Sequence, residues 1–356
     1  MEIKFEKREA LKEKPQDESK LGFGKIFTDY MFLYNYTQGK GWHDARIVPY
    51  GEFSISPAAT VLHYGQEVFD GLKAYTDVNG EVTFFRPRDN FKRLNNSARR
   101  LCMPDIDVED ALDALKQLVS LERGWVPKTR GTSLYIRPNY IGMDPFLGVS
   151  AAHEYLFYII LSPVGAYYAC GLEPVKIYVE SNYVRAVKGG LGFAKTSANY
   201  AASLLVGEEA HKKGYSQALW LDGKEGKYIE EVGSMNIFFV IDGVLYTPPL
   251  EGSILPGITR DSAIALAKDF GMPVREQRLT IEDVTDAIRE GRMNEAFGTG
   301  TAAVISPVGE LFYNDENYVI NGGKMGELSG KLYNTLTGIQ YGEIEDTHDW
   351  IVKLAK

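Results

Sequence analysis

Gly189-Gly190-Leu191-Gly192-Phe193-Ala194-Lys195-Thr196-Ser197-Ala198-Asn199-Tyr200 is the stretch on which the reading of this chain turns. Three glycines lead to a single lysine, and an alanine-rich helix with Asn199 and Tyr200 follows at once. Glycine adopts backbone angles closed to other residues and lets backbone approach a ligand closely. No carboxylate within the stretch holds Lys195 as an ordinary ion pair. A desolvated lysine gives up its proton more easily and becomes a nucleophilic amine, the requirement for a Schiff-base lysine. The same residues also fit a solvated surface loop followed by a helix, so the rest of the chain decides between the two readings.

At 356 residues the chain is too long for one small core, and two domains are expected. A hydrophobic content of 44% with 24% charged residues is that of a globular protein. The net charge of -9 speaks against nucleic-acid binding. Cys102 and Cys170 form no CxxC pair, and the five histidines show no metal-ligand spacing, so no metal is expected. Residues 1–20 alternate charges without an apolar run, unlike a signal peptide, and no segment has the length and apolarity of a membrane span. A cytoplasmic location is the expectation. The 22 Tyr and 17 Phe favour an aromatic-lined pocket or a subunit interface.

In chain order, Phe23 to Tyr36 reads as strand, and Trp42 to Tyr50 as a second extended piece. Leu62 to Gly71 reads as a helix followed by strand, and Asp77 to Gly80 as the turn of a hairpin returning through Val82 to Phe85. Phe91, Leu94, Ala98 and Leu101 share one helical face, and Val108, Leu112, Leu115 and Val119 mark a second helix. Arg86, Arg88, Lys92, Arg93, Arg99 and Arg100 form a basic cluster there, either a solvated face or a site for phosphate or carboxylate. Ser133 to Pro138 alternates, which sends Tyr135 and Arg137 to one face as a surface pair or a carboxylate receptor. Tyr155 to Leu161 reads as a strand buried on both faces.

Residues 166–174, rich in Gly and aromatic residues, are the expected linker between an N-terminal domain over 1–165 and a cofactor-binding domain over 175–356. Strands are expected over Val175 to Glu180, Ala218 to Leu221 and Met235 to Ile241, with Asp242-Gly243 turning to Val244. Glu230-Glu231 runs straight into the apolar strand at Met235. Leu255-Pro256-Gly257 precedes a helix whose free first N–H groups suit a phosphate. Phe297-Gly298-Thr299-Gly300-Thr301-Ala302-Ala303 reads as a loop offering N–H groups and two hydroxyls to an anion. Neither GxGxxG after a strand nor GxxxxGK[ST] is present, so a nucleotide fold lacks support.

A lysine, a carboxylate on a strand, two N–H-rich loops and an arginine cluster fit one ligand, pyridoxal phosphate. The chain resembles the branched-chain-amino-acid aminotransferases, fold type IV of the pyridoxal-phosphate enzymes, in segments running in order from Phe23 to Ala302. The resemblance implies a mixed α/β (α+β) fold of two domains, the D-amino-acid-aminotransferase-like fold, with a smaller N-terminal domain and a larger C-terminal domain built on a barrel-like sheet. It implies a transaminase passing the amino group of leucine, isoleucine or valine to 2-oxoglutarate, and a homodimer. Lys195 would bind the cofactor covalently and serve as base and acid. Glu231 would pair with the ring nitrogen, and Tyr200 would donate to the ring oxygen. Arg93, the backbone at Ile258 and Thr259, and Thr299 or Thr301 would hold the phosphate.

The pocket implied by the same resemblance must accept an apolar side chain and the γ-carboxylate of glutamate, since burying a carboxylate unpaired is costly. Phe23, Tyr64, Phe69, Tyr135, Tyr167 and Ser234 would line it, with Arg137 and the Tyr hydroxyls meeting the carboxylate. N–H groups at Thr301 and Ala302 would take the α-carboxylate. Ala303 and Ser306 stand where mammalian members carry a CxxC, Asp70 where Glu is usual, and Ser234 where Thr is common. A D-amino-acid aminotransferase and an aminodeoxychorismate lyase share the lysine and the glutamate. The segments Ser133 to Pro138 and Phe297 to Ala302 favour the branched-chain reading over these. An inactive binding or scaffold protein is the alternative from another class, and the intact Lys195, Glu231 and phosphate cradle argue against it.

Overall fold

A computed structural model describes residues 1–165 and 172–355. The chain divides into two compact units: Met1–Tyr167 with Ala194–Ser197 and Gly338–Lys356, and Tyr168–Phe193 with Ala198–Thr337. The division between residues 167 and 168 falls inside the expected linker of 166–174, of which residues 166–171 lie outside the described part. Two short segments expected in the second domain, around Lys195 and at the C-terminus, belong to the first unit. With the C-terminal segment counted in it, the first unit is the larger rather than the smaller of the two.

The first unit is one nine-stranded sheet with its two long helices on one face. Its elements are β1 (Lys4–Phe5), β2 (Tyr30–Thr37), β3 (Gly41–Pro49), α1 (Thr60–Tyr64), β4 (Glu67–Phe69), β5 (Leu72–Thr76), β6 (Val82–Phe85), α2 (Pro87–Arg100), α3 (Val108–Leu121), β7 (Ser133–Gly142) and β8 (Glu154–Val164). The order is β1-β3-β2-β8-β7-β5-β6, closed by a last strand at Ile351–Lys353, with β4 pairing β7. The apolar faces of α2 and α3 (Phe91, Leu94, Ala98, Leu112, Leu115) bury against Phe32, Phe84, Leu134, Ile136 and Phe157 of the sheet. Leu134 and Ile136 take the helix-covered face, so alternation sends Tyr135 and Arg137 to the other face. The helix expected over Leu62 to Gly71 stops at Tyr64. Gly65 takes the left-handed conformation at φ 59° and closes α1, and Glu67–Phe69 then pairs antiparallel with β7.

The second unit holds β9 (Val175–Glu180), α4 (Ser197–Lys212), β10 (Gln217–Leu221), β11 (Ile229–Val232), β12 (Met235–Ile241), β13 (Val244–Thr247), α5 (Ile258–Asp269), β14 (Val274–Glu276), α6 (Ile281–Arg289), β15 (Met293–Gly300), β16 (Val304–Tyr313), β17 (Glu316–Val319) and most of α7 (Glu327–Gln340). The order β11-β10-β9-β16-β15-β12 returns to β11 through the β11–β12 pairing. Six strands thus close into a barrel, which leaves no open edge among them. Every residue of β12 is buried, and Phe238 stacks on Phe297 of β15 at 5.2 Å. The stretch Phe297 to Ala303, expected as a loop, is strand as far as Gly300, because Gly298 and Thr299 pair with both β12 and β16. Among the described residues no helix is long and apolar enough to cross a membrane.

Candidate active site

Lys195 is fixed through its backbone. Its N–H donates to Ser97 Oγ at 2.8 Å and its carbonyl accepts from Phe69 N at 3.0 Å. Next to it, Thr196 is fully buried, bridges Val68, and donates its hydroxyl to the Glu67 carbonyl at 2.7 Å. The segment after the glycines is therefore stitched along β4, and Lys195 is a half-buried residue of the first unit rather than a solvated loop lysine. Its Nζ lies 5.0 Å from the centre of the Phe69 ring. The Arg137 guanidinium packs 4.6 Å from the same ring and donates to the Tyr135 hydroxyl at 2.9 Å. Phe23 packs edge-on against Tyr135, with ring centres 5.0 Å apart. Lys195, Phe69, Tyr135, Arg137 and Phe23 are thereby linked through these contacts. Tyr64 is 42% exposed, with its hydroxyl donating to the Leu147 carbonyl.

Arg93 is buried and forms a two-pronged ion pair with the fully buried Asp70. Burial pushes the Asp70 carboxyl up, but Arg93, Lys195 and Asn90 together hold it below the usual carboxylate range. Of the arginine cluster, Arg88 and Arg99 are spent on exposed ion pairs with Glu109 and Asp105, and Arg86 pairs with Asp89.

In the second unit, β11, β12 and β15 align Glu231, Asn236 and Thr299 as directly opposed neighbours. Opposed residues on antiparallel strands project to the same face, so a carboxylate, an amide and a hydroxyl form one row. Glu231 is 3% exposed and accepts from Leu255 N at 2.8 Å and Asn236 Nδ2 at 3.3 Å. Arg185 Nε lies 3.0 Å from its other oxygen as an ion pair, off the hydrogen-bond direction. The Arg185 side chain also donates to the carbonyls of Gly192 and Ser253. The glycine-rich loop is therefore tied to the cation that neutralises Glu231. A Cβ on Gly192 would collide with the Ser253 carbonyl, which is why this position is glycine. On the neighbouring Glu230, burial pushes the carboxyl up, and Ser253 donates its hydroxyl there.

At the far end of the row, Thr299 is 1% exposed and its hydroxyl has no hydrogen-bond partner among the described residues. The α5 helix begins just after Gly257 without a side-chain cap. Asn236, the middle of the row, packs against Gly257 and donates to the Leu255 carbonyl at 2.9 Å. Ile258 and Thr259 form the buried first turn of α5. Thr301 and Ala302 are half-buried in the turn after β15, Tyr200 is half-buried on α4, and Ser234 is exposed between β11 and β12. Tyr167 lies outside the described residues. Sequence reasoning missed Asp70 as the partner of Arg93, Arg185 as the partner of Glu231, and Asn236 as the link in the row. Only a departure at Asp70 was visible in the sequence; Arg185 reaches Glu231, and Asn236 reaches Thr299, only through long-range pairing.

The class IV amino-transferase family matches residues 67–311, a span holding Lys195, Arg93 and the whole row. The chain belongs to this family. It is 59% identical over 355 residues to a probable branched-chain-amino-acid aminotransferase of Staphylococcus epidermidis, covering 99% of both chains. It is 56% identical over 353 residues to branched-chain-amino-acid aminotransferase 2 of Bacillus subtilis, covering 99% of this chain and 97% of that one. Among solved structures, it is similar to the branched-chain aminotransferase of the thermophilic archaeon Thermoproteus uzoniensis with norvaline, at a TM-score of 0.77 and 28% identity, covering 92% of this chain and 100% of that one.

Proposed function

We propose that the chain is a pyridoxal-phosphate-dependent transaminase that moves the amino group of L-leucine, L-isoleucine or L-valine reversibly to 2-oxoglutarate, giving branched-chain 2-oxo acids and L-glutamate. The observation that carries this reading is the row Glu231, Asn236, Thr299 with the α5 N-terminus beside it. One end offers a carboxylate neutralised by Arg185. The other offers a buried hydroxyl without a partner and a helix start without a side-chain cap. A basic ring nitrogen suits the first and a phosphate the second. The residues present fit the cofactor.

Bound pyridoxal phosphate would supply a ring that draws off the electron pair left when a proton leaves the amino acid's Cα. Lys195 would hold the cofactor covalently until the substrate amine displaces it. The freed Lys195 Nζ would then take the Cα proton and return it in the reverse direction. Glu231 would accept the ring N–H and keep that nitrogen protonated, and Tyr200 would donate to the ring oxygen. Arg93, the N–H groups of Ile258 and Thr259, and the hydroxyls of Thr299 and Thr301 would receive the phosphate. N–H groups at Thr301 and Ala302 would take the α-carboxylate. Phe23, Tyr64, Phe69, Tyr135 and Ser234 would line the side-chain pocket. There Arg137, steered by Tyr135, would meet the γ-carboxylate of glutamate, while the Phe69 ring would serve the branched side chains. The protein would work as a homodimer in the cytoplasm.

Purified protein is expected to be yellow, with a visible band that borohydride abolishes by fixing the cofactor on Lys195. A colourless protein that gains no band on adding pyridoxal phosphate defeats the proposal, and an inactive scaffold becomes the better reading. Lys195→Ala is expected to stay soluble and lose transamination. Assays with L-leucine, D-alanine and a chorismate-derived amine separate this reading from its relatives: preferential consumption of either of the last two assigns the chain to a D-amino-acid aminotransferase or a lyase.

A further inference from the structure

Asp70 is the most completely enclosed charge beside Lys195. It lies in the turn between β4 and β5 at 0% exposure. Four donors converge on its carboxylate: Arg93 Nε at 2.9 Å, Arg93 Nη2 at 2.7 Å, Asn90 Nδ2 at 2.8 Å and Gly71 N at 2.7 Å. Asn90 stands one helical turn before Arg93 on α2, and its amide also donates to the Gly71 carbonyl at 3.1 Å. The Asp70 N–H donates to the Pro138 carbonyl at 3.0 Å, which ties this turn to β7. The carboxylate is therefore immobile, and it grips the Nε–Nη2 edge of a guanidinium that is itself only 7% exposed.

A guanidinium held along one edge by a planar carboxylate has its plane and its tilt fixed. The opposite Nη1 edge then points in one direction only. Burying Arg93 without a counter-charge would be strongly unfavourable. With Asp70 the pair is close to neutral, so the arginine can stay buried and oriented before any anion arrives. We infer that Asp70 is a positioning residue that presents the Nη1 edge of Arg93 to the cofactor's phosphate, with Asn90 locking the carboxylate in place; this rests on the pyridoxal-phosphate reading. Two effects oppose each other here. Coulomb repulsion between Asp70 and a phosphate dianion weakens binding, whereas orienting Arg93 strengthens it. The close, doubly bonded geometry makes orientation the larger effect.

Full-length wild-type protein, Asp70→Asn, Asp70→Glu and Asn90→Ala, each stripped of cofactor, are titrated with pyridoxal phosphate and separately with pyridoxal, which lacks the phosphate. Visible absorbance reads binding, and circular dichroism reads the fold. Asp70→Asn is expected to weaken pyridoxal phosphate at least about 10-fold while leaving pyridoxal unchanged, so the preference for the phosphorylated form collapses. Asp70→Glu, which keeps the charge, is expected to recover part of that preference, and Asn90→Ala to lose a smaller part of it. Equal or tighter binding of pyridoxal phosphate by Asp70→Asn overturns the inference, because repulsion then dominates. Equal weakening of both ligands overturns it too, since Asp70 would then be merely structural. If Asp70→Asn does not fold, Asn90→Ala decides: an unchanged ratio of the two affinities overturns the inference. A wild-type protein that binds neither aldehyde defeats the cofactor reading itself and this inference with it, whereas a wild type that binds beside an unaffected Asp70→Asn defeats only the inference.

Discussion

Two buried glutamates illustrate how a single carboxylate is set by its surroundings. Glu231 has a cation at 3.0 Å and accepts a backbone N–H at 2.8 Å. Glu231→Gln keeps the shape but, at the proposed cofactor site, would offer the ring nitrogen no negative partner. It is expected to lower kcat with L-leucine by about 100-fold while the protein stays folded; turnover within a factor of a few of wild type would remove Glu231 from the chemistry. Glu122, at the end of α3, makes no such close ion pair among the described residues, although Lys12 lies near enough to feel its charge. Burial pushes its carboxyl up to about 7 from 4.5, the Asp29 charge adds to this, and hydrogen bonds from Tyr30 N–H, the Thr28 side chain and the Asp29 backbone only partly compensate. The folded state therefore prefers the protonated acid. Below about pH 4.5 the group is protonated in both states and carries no penalty. As pH rises through 4.5 toward 7 the unfolded chain loses the proton first, so stability falls across that window. Glu122→Gln keeps an acceptor for Tyr30 without the charge. It is expected to raise stability at pH 8 by on the order of 2 kcal/mol and to leave it unchanged near pH 4, as read by urea unfolding. A gain of equal size at both pH values would refute the titration.

At the scale of elements, the glycines separate structural need from tolerance. Gly192→Ala must push its Cβ into the Ser253 carbonyl, in the loop that Arg185 ties to Glu231, and is expected to cost about 1–3 kcal/mol. Gly207, inside α4, has nothing within 4 Å of an added Cβ, and Gly207→Ala is expected to raise stability by about 0.5–1 kcal/mol. Thermal unfolding of the two variants should move in opposite directions; shifts of the same sign would refute the account. The same contrast explains what the sequence disclosed. Periodicity was sufficient for α2, α3 and the alternation in β7, because each buries one face against one core. It failed at Gln66 to Gly71, where helix-compatible residues are recruited as β4 by pairing with a strand some 70 residues later. It failed again at Gly298 to Gly300, where Gly and Thr read as loop yet sit between two partner strands. Lys195 stood out through its glycines, but the stitching of its backbone to β4 and Ser97 is tertiary and leaves no local mark. The pairings of Asp70 and Arg185 were illegible for the same reason: each matters through a partner 23 or 46 residues away.

For the whole molecule, the single chain leaves several large apolar side chains exposed. Leu204 is 68% exposed and Leu205 52% exposed on α4, and Tyr183, Val184 and Val187 in the loop before the glycines are each at least 44% exposed. On the first unit, Leu62, Tyr64, Phe146 and Leu147 are also exposed, although Tyr64 is expected to line the substrate pocket. Large apolar side chains gathered on one helix and its preceding loop suit a surface that a second copy would cover in the proposed homodimer. Burying each leucine fully is worth about 1.5–3 kcal/mol, so two copies of each across a twofold axis supply a substantial share of a stable association. Light scattering is therefore expected to give twice the chain mass of 39.8 kDa at micromolar concentration. Leu204→Glu with Leu205→Glu places two carboxylates of each copy in that surface, where burial without a partner is strongly unfavourable. The double variant is expected to run as a monomer with native circular dichroism. If Tyr64 and its neighbours are completed by the second copy, transamination falls together with the mass. A wild type that scatters as a monomer refutes the dimer. A double variant that stays dimeric moves the interface off α4, to the exposed apolar residues of the first unit.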